Sequence, residues 1–156
     1  MDRSWLALLV LACACGAAEP RATAPARVED YASLVAALRA AGAKVEPGGT
    51  APQPFMPVPA RLLEVDGEPV QVFELPDEES ARLVAARIAP DASTVGQANV
   101  SWSDPPYFFR SGRTIVLYVG DDAATIARLT GLLGDPIAVG RADEPSVEEW
   151  VPTSRA

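Results

Sequence analysis

Arg113-Thr-Ile-Val-Leu-Tyr-Val119 is a β-branched and aromatic run that lacks the polar alternation of a half-solvated strand. Both of its faces are apolar, so it reads as a central strand of a sheet. Upstream, Ser111-Gly112 supplies a turn from a second strand, Tyr107-Phe-Phe-Arg110. Downstream, Asp121 or Asp122 caps a helix carrying Ile126, Leu129 and Leu133, which Gly134 and Pro136 close.

The same grammar occurs earlier in the chain. Arg61-Leu-Leu-Glu-Val65 and Pro69-Val-Gln-Val-Phe-Glu-Leu75 flank Asp66-Gly67, a strong signal for a tight hairpin turn. Asp77 then caps a helix through Ile88, with Ala81, Val84, Ala85 and Ile88 on its apolar stripe. Glu78 and Glu79 occupy its first turn, where the helix dipole favours them, and Pro90 ends it. Gly67 matches Gly112 at an offset of 45 residues, which also brings Asp77 onto Asp122. A β-β-α unit thus occurs twice, either as an ancient duplication or as two independent uses of one local pattern.

Around these units, Asp30 caps a first helix to Ala41, with Tyr31, Leu34, Val35 and Leu38 at helical spacing and Gly42 past its end. Five prolines between Pro47 and Pro59 restrict that stretch to a loop or an edge segment, with Phe55 and Met56 pinning it to the core. Ala98 to Trp102 reads as a further strand. Hairpins interspersed with helices predict an α+β fold: an antiparallel sheet with the helices on one face, preceded by an N-terminal helix. The expected single domain runs from 28 to 136. Residues 137–156 lose periodicity and gain charge, and read as an acidic flexible tail; Trp150 within it is a lone aromatic, part of the tail or of a short docking peptide.

At 156 residues, with 49% apolar and 22% charged residues, the chain has room for one ordinary core. Its net charge is −8 and its only lysine is Lys44, which argues against a nucleic-acid partner, since phosphate contacts need a basic surface. Histidine is absent, and the two cysteines are Cys13 and Cys15. Zinc sites, His-activated nucleophiles and a disulfide inside the folded part are therefore not expected, and no metal or cofactor is assigned.

The cysteines belong to an address. Met1-Asp2-Arg3-Ser4 precedes the apolar run Trp5 to Ala12 and the small residues Cys13-Ala14-Cys15-Gly16. That is the pattern of a signal peptide, over residues 1–15, and the run is short of the roughly 20 residues that span a bilayer. Val10-Leu-Ala-Cys13 resembles the lipobox of bacterial lipoproteins, which implies acylation of Cys13, with Cys15 as the alternative acceptor, and anchoring in the membrane. Cleavage after Ala14 with soluble secretion, and an uncleaved helix, are the other two readings. Residues 16–27, rich in Ala and Pro, form a tether.

No phosphate-binding glycine loop is present; the acidic groups at Asp77/Glu78/Glu79 and Asp121/Asp122 read first as helix caps, with an oxygen-ligand metal such as calcium and acid/base catalysis as the lesser alternatives. The most unusual segment is Trp102-Ser-Asp-Pro-Pro-Tyr-Phe-Phe-Arg110, which holds four of the ten aromatic residues (three Trp, three Tyr, four Phe). Aromatic residues and arginine favour interfaces. If Phe108 faces the helices, Tyr107 and Phe109 face the other side of the sheet, which two layers would leave open. Trp102, Tyr107, Phe109 and Arg110 are thus the candidate partner-binding surface, with core packing as the competing reading.

From Tyr31 to Leu133 the chain resembles an uncharacterised family of small bacterial lipoproteins and secreted proteins. The resemblance rests on YASLVAALRAAGAKVEP, on QVFELPDEESARLVAARIAPD and above all on WSDPPYFFRSGRTIVLYVGDD from Trp102 to Asp122. It implies an envelope location and a shared fold, and it carries no activity or catalytic residue. The expected function is a non-catalytic, membrane-tethered binding or accessory module with an envelope protein as partner. A small envelope hydrolase or inhibitor-like regulator, and a purely structural envelope protein, are the alternatives.

Overall fold

The computed structural model describes residues 27–143; the stretch read as a signal peptide, with Cys13 and Cys15, the stretch read as a tether up to residue 26, and Trp150 lie outside the described residues. In chain order the elements are α1 (Tyr31–Ala40), β1 (Val45–Ala51), β2 (Ala60–Val65), β3 (Glu68–Glu74), α2 (Glu78–Ala85), β4 (Thr94–Val95), β5 (Ala98–Asn99), β6 (Pro106–Ser111), β7 (Thr114–Val119), α3 (Ala123–Leu133) and β8 (Ala138–Val139). Six strands form one antiparallel sheet in the order β1-β2-β3-β7-β6-β8, and β4 with β5 makes a small separate hairpin. The fold is α+β.

The local signals act as their chemistry requires. Asp30, Asp77 and Asp122 each accept a hydrogen bond from a backbone N–H three residues on, at Ser33, Ser80 and Thr125. Ser33 Oγ returns the favour to the Asp30 N–H at 2.9 Å, closing a capping box. Asp66 and Gly67 both have positive φ, 55° and 96°, the pattern of the two-residue turn that matches strand twist. The proline-rich stretch begins as the edge strand β1, whose pairing with β2 slips between Pro47 and Thr50. Met56 is buried as expected.

β7 sits between β3 and β6, and every residue from Thr114 to Tyr118 is buried. Val116 and Tyr118 point to one side, into a core shared with Leu34 and Leu38 of α1 and Leu129 of α3. Ile115 and Leu117 point to the other, against Ala81 of α2, Met56, Ile88 and Trp102. The expectation that all helices share one face is therefore corrected. A strand apolar on both faces needs a cover on each, and burying one such side chain contributes about 1.5–3 kcal/mol, so a single helical layer would leave half of that gain unrealised.

The split also bears on the repeated unit. β3 and β7 are antiparallel neighbours, so the rotation that superposes one hairpin on the other keeps each face of the sheet on its own side. Copies related in this way would carry α2 and α3 on the same face. They lie on opposite faces, so the two β-β-α units have opposite hands. The recurrence is one of local turn and cap chemistry.

Two boundaries differ from expectation. The strand read over Ala98–Trp102 is paired only at Ala98–Asn99, because Trp102 leaves the ladder to donate from Nε1 to the Ala92 carbonyl at 2.8 Å. The tail expected from residue 137 begins inside the fold. Ala138 is buried and β8 pairs with β6, while Val139 N–H donates to the Pro90 carbonyl and Gly140 N–H to that of Pro106. Asp143 then accepts from Trp102 N–H at 3.0 Å and donates its own N–H to the Trp102 carbonyl at 2.9 Å. Periodicity is invisible in a two-residue strand, which is why the sequence shows only charge there.

Candidate functional site: a mixed-charge cleft at the sheet end

The aromatic segment is placed mainly in the core. Phe109 is 0% exposed on the α1/α3 face, and Trp102 is 8% exposed on the α2 face. Trp102 stands edge-on between Phe55 and Phe108, at centroid distances of 5.9 and 5.7 Å. Tyr107 is half-buried and stacks on Tyr118 at 6.3 Å. The alternation along β6 follows the expected order, but both faces are covered, so no open sheet face forms around Tyr107 and Phe109. Of the four candidate residues, Trp102 borders a cleft with Val139 and Asp143, and Arg110 lines a separate, charged one.

The charged cleft, of about 390 Å³, lies at the end of the sheet around the β6–β7 turn. Arg110 reaches it from the end of β6, and Ser111, Gly112 and Arg113 form its floor. Arg27, Glu29 and Asp30 approach from the segment leading into α1, and Glu78 from the first turn of α2. Because α1 and α2 cover opposite faces, the cleft is where the two covering layers meet around the sheet's end.

Local chemistry fixes the floor. Gly112 opens the turn with φ 52°, and its missing Cβ lets the Glu29 backbone lie against it. Ser111 Oγ donates to the Val28 carbonyl at 2.6 Å, and Arg113 N–H donates to that of Glu29 at 2.9 Å. The first described residues are thus fastened to the turn by two hydrogen bonds.

The charges divide into committed and uncommitted groups. Arg113 donates to Glu74 Oε1 at 2.5 Å and lies 3.8 Å from Asp30. Glu74 also accepts from Arg61 at 3.2 Å, and the Arg61 guanidinium covers the Tyr31 ring at 3.4 Å. The Asp30 carboxyl is held below its ordinary value, first by the Ser33 backbone N–H, then by the Ser33 hydroxyl, with a smaller contribution from Arg113. It is a fixed anion, committed to its cap. Arg110 and Glu78 face each other at 3.7 Å, beyond hydrogen-bond range, and among the described residues neither makes a side-chain hydrogen bond.

Sequence reasoning found Arg110 but missed the rest, having assigned Asp30 and Glu78 to helix starts alone. The nearest signal was the pair Arg110 and Arg113 bracketing a glycine turn. Nothing local brings residues 27–30 and 78 to that turn. Among the described residues, no group of three or more acidic, cysteine or histidine side chains is arranged to hold a metal, and no helix is long and apolar enough to cross a membrane.

Comparison with protein-family models, with curated proteins and with solved structures finds no match to this chain.

Proposed function

We propose that this chain is a membrane-tethered module of the bacterial cell envelope that binds its ligand or partner without transforming it, held by a lipid on Cys13 or, alternatively, Cys15. The observation that carries the reading is the joint between the tether and the cleft. The chain joins the domain at Arg27–Asp30, and those residues are bonded to the turn that floors the cleft. An anchor at the N-terminus therefore presents the cleft on the anchored side. From Cys13 to Arg27 an extended chain reaches at most roughly 50 Å, and from Cys15 roughly 43 Å, which bounds the distance of the cleft from the membrane surface.

The cleft suits recognition. It is half open, its polar groups come from three separate elements, and Asp30, whose acidity is shifted, is shifted toward permanent ionisation by its cap. That shift is opposite to the one a proton-donating carboxyl requires at neutral pH. The resemblance to small envelope lipoproteins agrees with this address.

Two readouts on the native envelope test the proposal. Intact-mass analysis of the mature N-terminus is expected to find an acylated Cys13, or Cys15; an unmodified terminus at Cys15 or beyond overturns the anchor. Crosslinking in the envelope, native chain beside a folded Arg110→Glu variant, is expected to capture a species that the variant loses. Equal capture by both removes the cleft from the binding function.

A further inference from the structure

We propose that the cleft takes a zwitterionic ligand, one carrying an oxyanion and a primary ammonium a few ångströms apart, as in a phosphoethanolamine headgroup. This deepens the reading of the cleft as a binding site. The uncommitted groups decide the ligand class. Arg110 and Glu78 stand opposite each other at 3.7 Å with their hydrogen-bonding capacity unspent toward the described residues. Arg110 is about one third exposed and Glu78 largely exposed, and at 3.7 Å they share no hydrogen bond, so separating the two charges costs little. A lone anion entering beside Arg110 meets the Glu78 carboxylate, and a lone cation entering beside Glu78 meets the Arg110 guanidinium. A ligand with both charges satisfies both groups at once, in a cleft whose volume lies at the small end of ligand pockets.

The partition of the other charges agrees. Asp30 is held by its helix cap and Glu74 by two arginines, while Arg27 and Glu29 add one further charge of each sign to the lining, so the cleft as a whole stays balanced for a ligand with both charges. Arg113, which also lines the cleft, has one guanidinium nitrogen on Glu74 and near Asp30. A primary ammonium donates N–H groups to a carboxylate, whereas a quaternary one has none to donate and is recognised by aromatic faces. The side chains of this cleft are charged and polar.

The opposite end of the sheet adds an orientation. Asp66 and Glu68 flank the β2–β3 turn, and Asp121 and Asp122 follow the far end of β7, with the length of the sheet between them and the cleft; Arg128, paired with Asp66 at 3.0 Å, and Lys44, paired with Glu46 at 2.7 Å, offset only part of that acidity. An anionic membrane surface repels that end and leaves the balanced cleft end facing it. A lipid headgroup and a soluble zwitterion of the same chemistry are the two sources of such a ligand.

The test is an NMR titration of the full chain, made unlipidated by Cys13→Ala/Cys15→Ala, with glycerophosphoethanolamine. Parallel titrations use inorganic phosphate, ethanolamine and glycerophosphocholine. Saturable shifts at the Gly112 amide are expected for glycerophosphoethanolamine, with affinity at least about tenfold above each of the other three. Arg110→Gln and Glu78→Gln are each expected to weaken it about tenfold while thermal unfolding stays that of the parent. No saturable shift, or equal binding of phosphate alone or of the choline analogue, overturns the proposal. Vesicles then separate the sources. Retention of the chain on phosphatidylethanolamine but not phosphatidylcholine vesicles assigns the lipid, and binding of the soluble probe without retention assigns a soluble zwitterion. Because the titrated chain carries no lipid, failure here leaves the anchor standing, and an unacylated native terminus leaves the cleft chemistry standing.

Discussion

Ser111 and Val28, 83 residues apart, are joined by a 2.6 Å hydrogen bond from the serine hydroxyl to the valine carbonyl. That bond ties the start of the domain to the β6–β7 turn, and Gly112 beside it completes the joint. Gly112 has positive φ and no room for a Cβ against the Glu29 backbone, whereas Gly67, in the other hairpin turn, has positive φ and open space. Gly112→Ala is expected to cost about 2 kcal/mol or more, and Gly67→Ala nearer 1 kcal/mol. Urea unfolding of both variants isolates the contact. Equal losses would mean that the joint adds nothing to stability.

The placement of the aromatic segment has its own test. Phe109 of β6 is wholly buried beneath the α1/α3 layer, while neighbouring Tyr107 is only half-buried. Phe109→Ala is expected to lose about 3–5 kcal/mol, through lost burial and the cavity left behind, and Tyr107→Ala distinctly less. Chemical denaturation measures both. A Phe109→Ala protein of native stability would return that residue to the surface.

Asp143 holds the end of the described chain against Trp102 by bonds in both directions. Asp143→Ala removes the acceptor of the Trp102 N–H and is expected to cost about 1 kcal/mol. Hydrogen exchange at that amide is the direct readout, expected to accelerate in the variant. Unchanged protection would show that the amide is held by other means.

Stability is expected to fall in acid through the three helix caps. Asp30, Asp77 and Asp122 are each held below the ordinary value of 3.8, chiefly by the backbone N–H they accept from. A carboxyl with a lowered folded-state pKa stabilises above its ordinary value, and that stabilisation is lost as pH falls through the folded value. Asp122→Asn keeps a capping oxygen but no longer titrates, so its thermal unfolding is expected to be less sensitive to pH below about 4 than the parent's. Parallel acid curves would remove Asp122 from the linkage.

In alkali the responsible group is Tyr118. Burial, with the neighbouring Glu68 and Asp122 carboxylates, pushes its hydroxyl up to about 12 from 10.0. The unfolded chain releases this proton first, so stability is expected to decline from about pH 10 toward 12. Tyr118→Phe is expected to flatten that limb in a pH series of thermal unfolding, and an unchanged limb would exclude Tyr118 as its source.

Much of this architecture was legible residue by residue. The Asp66-Gly67 turn, the Asp30, Asp77 and Asp122 caps and the two-sided apolarity of Ile115 to Tyr118 are properties of short stretches, fixed by backbone sterics, orphan N–H groups and side-chain alternation. Those interactions span a few residues, so the sequence by itself determined them. Tertiary structure alone decided which face each helix covers, because an apolar stripe specifies that it must be buried and not against what. Hence α2 and α3 part company although their caps and turns match. The burial of Phe109 and Trp102 follows from that choice, since an aromatic run reads alike for a core and for an interface. The cleft is the furthest from local control. Arg110, Glu78 and Asp30 meet only once two helical layers and a hairpin turn have converged, and no short-range signal encodes a meeting across that length of chain.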